Sequence, residues 1–491
     1  MFKTLSRISA CAALAACLFL SSAVRAQDVI VTIPSLNDVQ TKVSSVAGKM
    51  NSGFPLIVNM TLGQYAAFGI DPGKPVALYA NLTENGVSSA TFLPIKSQKM
   101  FEEQFKAMQE KGSFKNMKVE SKDGYAILVS GQDWTEAIPK FDAPKMLNVK
   151  MNPQVLVPIL EAQLAATELL KDEEEKASKK NSLERLIRNA KQMQEVSFTL
   201  DSNEAGDVEA VFSAKPVEGS EIAGNYANTE KLTKSFLGGF FDEKAPFAAQ
   251  FLGAFDANNR KDLVEAITTN AKIPEELGNV ILAAMEVKKF DLACSFYPDE
   301  VGVQGVLAMG IANGDKINAA IEKAISEIKP DEVVQGKANA GKIGKSITVH
   351  EFTMDREGQA KTFVVAVHPK YLFYAVAPIG TNAVDYLKKM FKEKGLKATE
   401  VKQNGLVHFS MEMLAPALKQ FGVEKELELT GEVNYVADFT DGQLTGTVKI
   451  DGALFESVGK IIAAQAAAAE GDDDEEDELF GDDDDDEAEE K

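Results

Sequence analysis

The residues of this 491-residue chain whose types could do chemistry lie in a glycine-lysine loop, three histidines and an acidic C-terminus. Gly341-Lys342-Ile343-Gly344-Lys345-Ser346 has the composition of a phosphate loop, in which backbone N–H groups and a lysine hold phosphate oxygens. That pattern also needs a glycine five residues before Gly344, where Asn339 stands, and a helix after the lysine. Ile347-Thr348-Val349-His350 alternates as a strand instead, so nucleotide binding is not expected. The histidines are His350, His368 and His408, each beside strand-like residues. A catalytic zinc site takes three protein ligands, and His350-Glu351 lacks the second histidine of a helical pair. All three read as half-buried strand residues. No Gly-x-Ser-x-Gly elbow or Gly-x-Gly-x-x-Gly loop occurs, and a single tryptophan with nine tyrosines argues against a carbohydrate cleft. No catalytic residue and no cofactor is assigned.

The acidic end is two similar blocks, 471–480 and 481–490, opened by Asp472, Asp473, Asp474 and by Asp482, Asp483, Asp484. Calcium takes several oxygen ligands, which makes these six aspartates the candidate metal ligands. Their spacing lacks the alternation and fixed glycine of an EF-hand loop, and the competing reading is a solubilising spacer. At this charge density the tail is expected to be disordered, with Leu479-Phe480 as a small docking motif inside it.

Composition bounds what must hold these residues. The formal charge is −22, most of it within 470–491, and 45% of the chain is hydrophobic. No basic stripe is available to neutralise phosphates, so nucleic acid is not an expected partner. Met1 to Ala26 reads as a secretory signal: Lys3 and Arg7, an apolar run from Ile8 to Leu20, then Val24-Arg25-Ala26 before Gln27. Leu14-Ala15-Ala16-Cys17 resembles a lipobox, which gives a lipid anchor at Cys17 as the alternative to cleavage after Ala26. Both readings export the body to the periplasm or beyond. After removal of the signal only Cys294 remains; alternating with Leu292 and Phe296, it reads as a small buried hydrophobe. No later apolar run reaches membrane-spanning length.

One stretch returns. Lys74 to Met108 carries Val76, Leu78 and Ala80, a turn at Asn85-Gly86, and Val87 to Ile95 running into a helix. Phe290 to Ala324 repeats it without a gap: Gly86 matches Gly302, Ile95 matches Ile311, Phe101 matches Ile317 and Phe105 matches Ile321. Further on, Leu156-Val157-Pro158 is echoed by Leu414-Ala415-Pro416, and the hairpin around Gly206 by the one around Gly442. The predicted fold class is therefore α+β: two tandem homologous repeats of antiparallel sheet with helices packed on it, plus the disordered tail. The divisions are 1–26, 27–227 with a charged helical arm at about 171–188, 228–469 and 470–491.

Within this plan, Leu36 to Met50 is expected as a helix and Phe54 to Met60 as the first strand of copy one. Leu232, Phe236 and Phe240 suggest a matching helix in copy two, followed by a strand from Phe247 to Phe255. Arg260 to Lys289 reads as an insert of two helices broken at Pro274, and Lys329 to Gly344 as a polar loop. Trp134 reads as a core anchor.

Gly73-Lys74-Pro75-Val76 with Phe92-Leu93-Pro94-Ile95, and Lys122-Asp123-Gly124-Tyr125-Ala126, resemble uncharacterised two-repeat secreted proteins of planctomycetes and allied bacteria. The resemblance covers most of 27–469 and implies no activity and no functional residue. The expected function is that of a non-enzymatic secreted or periplasmic protein offering a surface or inter-domain cleft to an unknown protein. The alternatives are a carrier of an apolar, lipid-like small molecule, for which Phe236 to Phe255 is the candidate region, and an enzyme without a recognisable motif.

Overall fold

The structure is a computed structural model describing residues 29–83, 86–111, 117–131, 145–170, 172–254, 283–299, 302–328, 334–356, 359–414, 416, 418 and 427–471. The first half begins β1 (Val29–Ile33), α1 (Leu36–Met50), α2 (Phe54–Ala67), β2 (Val76–Thr83), β3 (Gly86–Pro94) and α3 (Gln98–Glu110). It continues β4 (Met117–Lys122), β5 (Tyr125–Ser130), β6 (Leu147–Met151), α4 (Val157–Thr167), α5 (Glu173–Gln192), β7 (Met193–Ser202) and β8 (Val208–Pro216). The second half begins α6 (Glu221–Glu230), β9 (Lys234–Ser235), β10 (Phe247–Ala254), β11 (Lys289–Asp299), β12 (Gly302–Gly310) and α7 (Gly314–Glu327). There follow β13 (Val334–Ile343), β14 (Ile347–Arg356), β15 (Gln359–His368), β16 (Tyr371–Val376) and α8 (Ala383–Glu393). The chain closes with β17 (Thr399–Glu400), β18 (Gly405–Ser410), β19 (Glu432–Thr440), β20 (Gln443–Ile450) and α9 (Gly452–Gly471).

Local chemistry sets several of these boundaries. Ser35 caps α1 by accepting from the Asp38 N–H, and Ser97 caps α3 in the same way through Met100. Asp123-Gly124 and Asp441-Gly442 both hold φ near +50° to +80°, the conformation of the tight two-residue hairpin turn.

Among the described residues, eighteen strands form one antiparallel sheet. Its order is β4-β5-β3-β2-β1-β6-β7-β8-β20-β19-β18-β10-β11-β12-β16-β15-β14-β13. The two halves meet where β8 pairs with β20, with Val211 opposite Thr447. Helices supply the second layer. Phe101 and Phe105 of α3 pack with Ala126 and Leu128 of β5, and Ile317 and Ile321 of α7 pack with Met309, Leu372 and Val367. The largest core joins Val384 and Leu387 of α8 to Val349, Val364, Phe373 and Phe240. The charged arm is a helical hairpin, α4 with α5, tied by Lys176 to Glu168 (2.7 Å) and Lys191 to Glu161 (2.8 Å).

The pairing registers of the two halves correspond. Leu78 pairs with Val31 and Thr91, while Cys294 pairs with Ala249 and Leu307. The displacement that carries Leu78 to Cys294 also carries Thr91 to Leu307 and Gly86 to Gly302. Likewise Val149 pairs with Val31 and Phe198, and Val407 pairs with Ala249 and Tyr435. The step from Val149 to Val407 is the step from Pro158 to Pro416.

Three expectations are corrected. Phe54 to Met60 is the start of helix α2, not a strand, and the strand preceding α1 is β1, whose Val29 and Val31 are buried. A short continuous apolar run does not distinguish a strand from a helix, and Pro55 suits a first helical turn. Leu232 to Phe240 is not a helix but short β9 and a 3-10 turn at Gly238–Phe240, where Gly238-Gly239 disfavours helix and Phe240 enters the core. Lys329 to Gly344 contains edge strand β13 rather than a polar loop; its polarity is that of an edge facing water. The helices expected in Arg260 to Lys289 lie almost wholly outside the described residues, as do Trp134 and the signal segment.

Candidate functional site

Cross-strand partners in an antiparallel sheet share a face. Register therefore aligns Asp201 (β7), Glu209 (β8), Lys449 (β20), Asn434 (β19) and His408 (β18) in one polar row across the join between the halves. Along it a cleft of about 510 Å³ opens, lined from the first half by Lys145, Asp201, Asn203, Asp207 and Glu209. From the second half it is lined by Glu432, Asn434, Lys449 and Asp451.

Ion pairs organise the row. Lys145 Nζ lies 3.3 Å from Asp201 Oδ2 and 3.6 Å from Glu209 Oε2, and Lys449 Nζ lies 3.4 Å from the other Glu209 oxygen. From α1, Lys42 donates to Asp201 at 2.7 Å while also facing Asp38 at 2.9 Å. Burial pushes the Asp201 carboxyl up, but the bonds from Lys42 and Lys145 outweigh it and hold the group below its ordinary value. Asp207 is lowered first by the Gly452 N–H at 2.8 Å and then by the Asn203 amide at 2.9 Å. Gly452 begins α9, so this carboxylate ties the β7–β8 turn of one half to the last helix of the other. On the far side, the His408 Nδ1–H donates to Asn434 Oδ1 at 2.9 Å, with Glu432 at 3.9 Å.

Five carboxylates against two lysines leave the lining with a negative excess. Such a surface can orient a charged partner by paired hydrogen bonds. Among the described residues, no three His, Cys, Asp or Glu side chains are placed to hold a metal ion. The calcium candidates Asp472, Asp473, Asp474, Asp482, Asp483 and Asp484 lie outside those residues.

The three histidines do not converge. His350 on β14 is fully buried in a closed polar ring: its Nδ1 accepts from the Asn339 N–H, and its Nε2–H donates to Asn318 Oδ1 at 2.9 Å. Glu322 closes the ring by accepting from both Asn318 and Asn339. His368 accepts from the Lys370 N–H at 3.1 Å and stacks on Tyr371. Only His408 neighbours the cleft. Gly341 to Ser346 spans the end of β13, the turn and the approach to β14, and no helix follows it. Cys294 is buried, and that burial pushes its thiol up. No sequence motif marked the cleft residues, which are scattered from 145 to 451; the available signal was polar side chains recurring at alternate positions of two matching hairpins.

Compared with protein-family models, curated proteins and solved structures, the chain shows no match.

Proposed function

We propose that the chain is a non-enzymatic exported binding protein made of two copies of one α+β unit, presenting the cleft at their junction to a basic protein partner. The copies are supported by the equal displacements of strand register and sequence, and by the junction itself. The step from Gly206 to Gly442 carries Val211 to Thr447, the residue it faces, as a two-fold axis through that pair requires.

The observation that carries the functional reading is the charged cleft to which both halves contribute. Its polar lining favours a protein partner over the apolar carrier, and its carboxylate excess selects cationic groups. Titration calorimetry with trilysine and triglutamate, using a chain ending at Gly471 so that the acidic tail cannot compete, tests it. Trilysine should bind, weaken with salt, and lose at least fivefold in affinity in Glu432→Gln/Asp451→Asn. Equal binding by that variant, or a preference for triglutamate, would overturn the proposal.

A further inference from the structure

From Met50 to Ile70 the chain contains no Asp, Glu, Lys, Arg or His. Helix α2 lies within this stretch, and its apolar residues are not confined to one face. A helix apolar on all sides belongs in a core or in lipid. In α2 the described side chains, Phe54 to Met60, are all at least partly exposed. It rests along one side on α1, where a side chain at Gly48 would touch Pro55 and where Asn59 accepts from Gln40 and Ser44. Away from that contact Leu56 and Met60 stand 65% and 64% exposed, with Ile57 beside them at 41%. A soluble chain gains nothing from leaving two such side chains in water on an uncharged surface.

Length and charge select the occupant. Fourteen residues make a rod of about 21 Å, short of the roughly 30 Å hydrocarbon layer, so the helix cannot cross it and can only lie in its surface. A protein partner would meet a polar or charged rim around an apolar centre, and this stretch supplies no charge for one. The protein as a whole carries −22, which opposes approach to anionic headgroups. We propose that α2 is a membrane-surface helix that lays Leu56 and Met60 into the outer acyl region of an electrically neutral bilayer.

Flotation of the full chain with phosphatidylcholine vesicles tests this. The wild type should float, undiminished by 0.5 M salt and no better when phosphatidylglycerol is added. Leu56→Ser/Met60→Ser should reduce flotation at least tenfold, since burial of each apolar side chain accounts for about that factor. Leu169→Ser, which changes an exposed apolar residue in the turn after α4, should float as the wild type does. A fluorophore on Leu56→Cys should shift to the blue on vesicle addition, reading the same contact without relying on a loss. A wild type that stays at the bottom of the gradient overturns the proposal. So does equal loss in Leu169→Ser, or a solution dimer that the double variant splits and that ignores vesicles, which would make a second copy the occupant.

Discussion

His350 exposes how one residue couples the sheet edge to its helix. Burial depresses its basicity against a smaller opposing effect of Glu322, so the folded protein holds it neutral while the unfolded chain protonates near pH 6.5. Because the unfolded state then binds the extra proton, this contribution is complete above about pH 6.5 and is lost as pH falls towards the depressed folded value. Melting temperatures taken between pH 7.5 and pH 5 should fall, and His350→Gln should flatten that slope; parallel slopes would remove His350 as the cause. Cys294 yields a simpler outcome. With its thiol buried and its pKa raised, it should react with a thiol reagent only after unfolding, and prompt labelling of the native protein would contradict the packing described.

At the scale of elements, the junction hairpins depend on a residue with no side chain. A Cβ at Gly446 would enter the ring of Phe212, which stacks on Tyr435 from the neighbouring hairpin, with ring centroids 6.2 Å apart. Gly446→Ala should therefore cost about 2 kcal/mol, as overpacking does, seen as a lower denaturant midpoint at unchanged slope. Much of this level was legible in the sequence. Leu36 to Met50 declared itself by period and cap, and the hairpins by Asp123-Gly124 and Asp441-Gly442. Where the reading failed, the local signal was shared by two states. Phe54 to Met60 is apolar except for Asn59 and so carries almost no helical period, and β13 has the polarity of a loop because, among the described residues, only one side of it is paired. The cleft was illegible for another reason: Asp201 and Lys449 become near neighbours only through strand pairing, which composition does not encode.

At the scale of the molecule, β4 and β13 bound the sheet among the described residues, and both are guarded. Lys118, Glu120 and Lys122 lie along β4, while β13 breaks register between Lys337 and Gly341, with Asn339 at positive φ. The inner strands β8 and β20 instead cover each other. A chain ending at Glu230 leaves β8 open and should self-associate by light scattering, and addition of the complementary half should suppress this. A monodisperse first half would instead mean that β8 tolerates water. The β8–β20 pairing also joins residues more than two hundred positions apart in a chain that emerges N-terminus first. At ~5–20 residues per second, β8 waits roughly 10–50 s for its partner to be made. During that interval the finished first half is an unmated template, so the speed of synthesis, and any factor that shields β8 meanwhile, decides whether it pairs within its own molecule or with a neighbour.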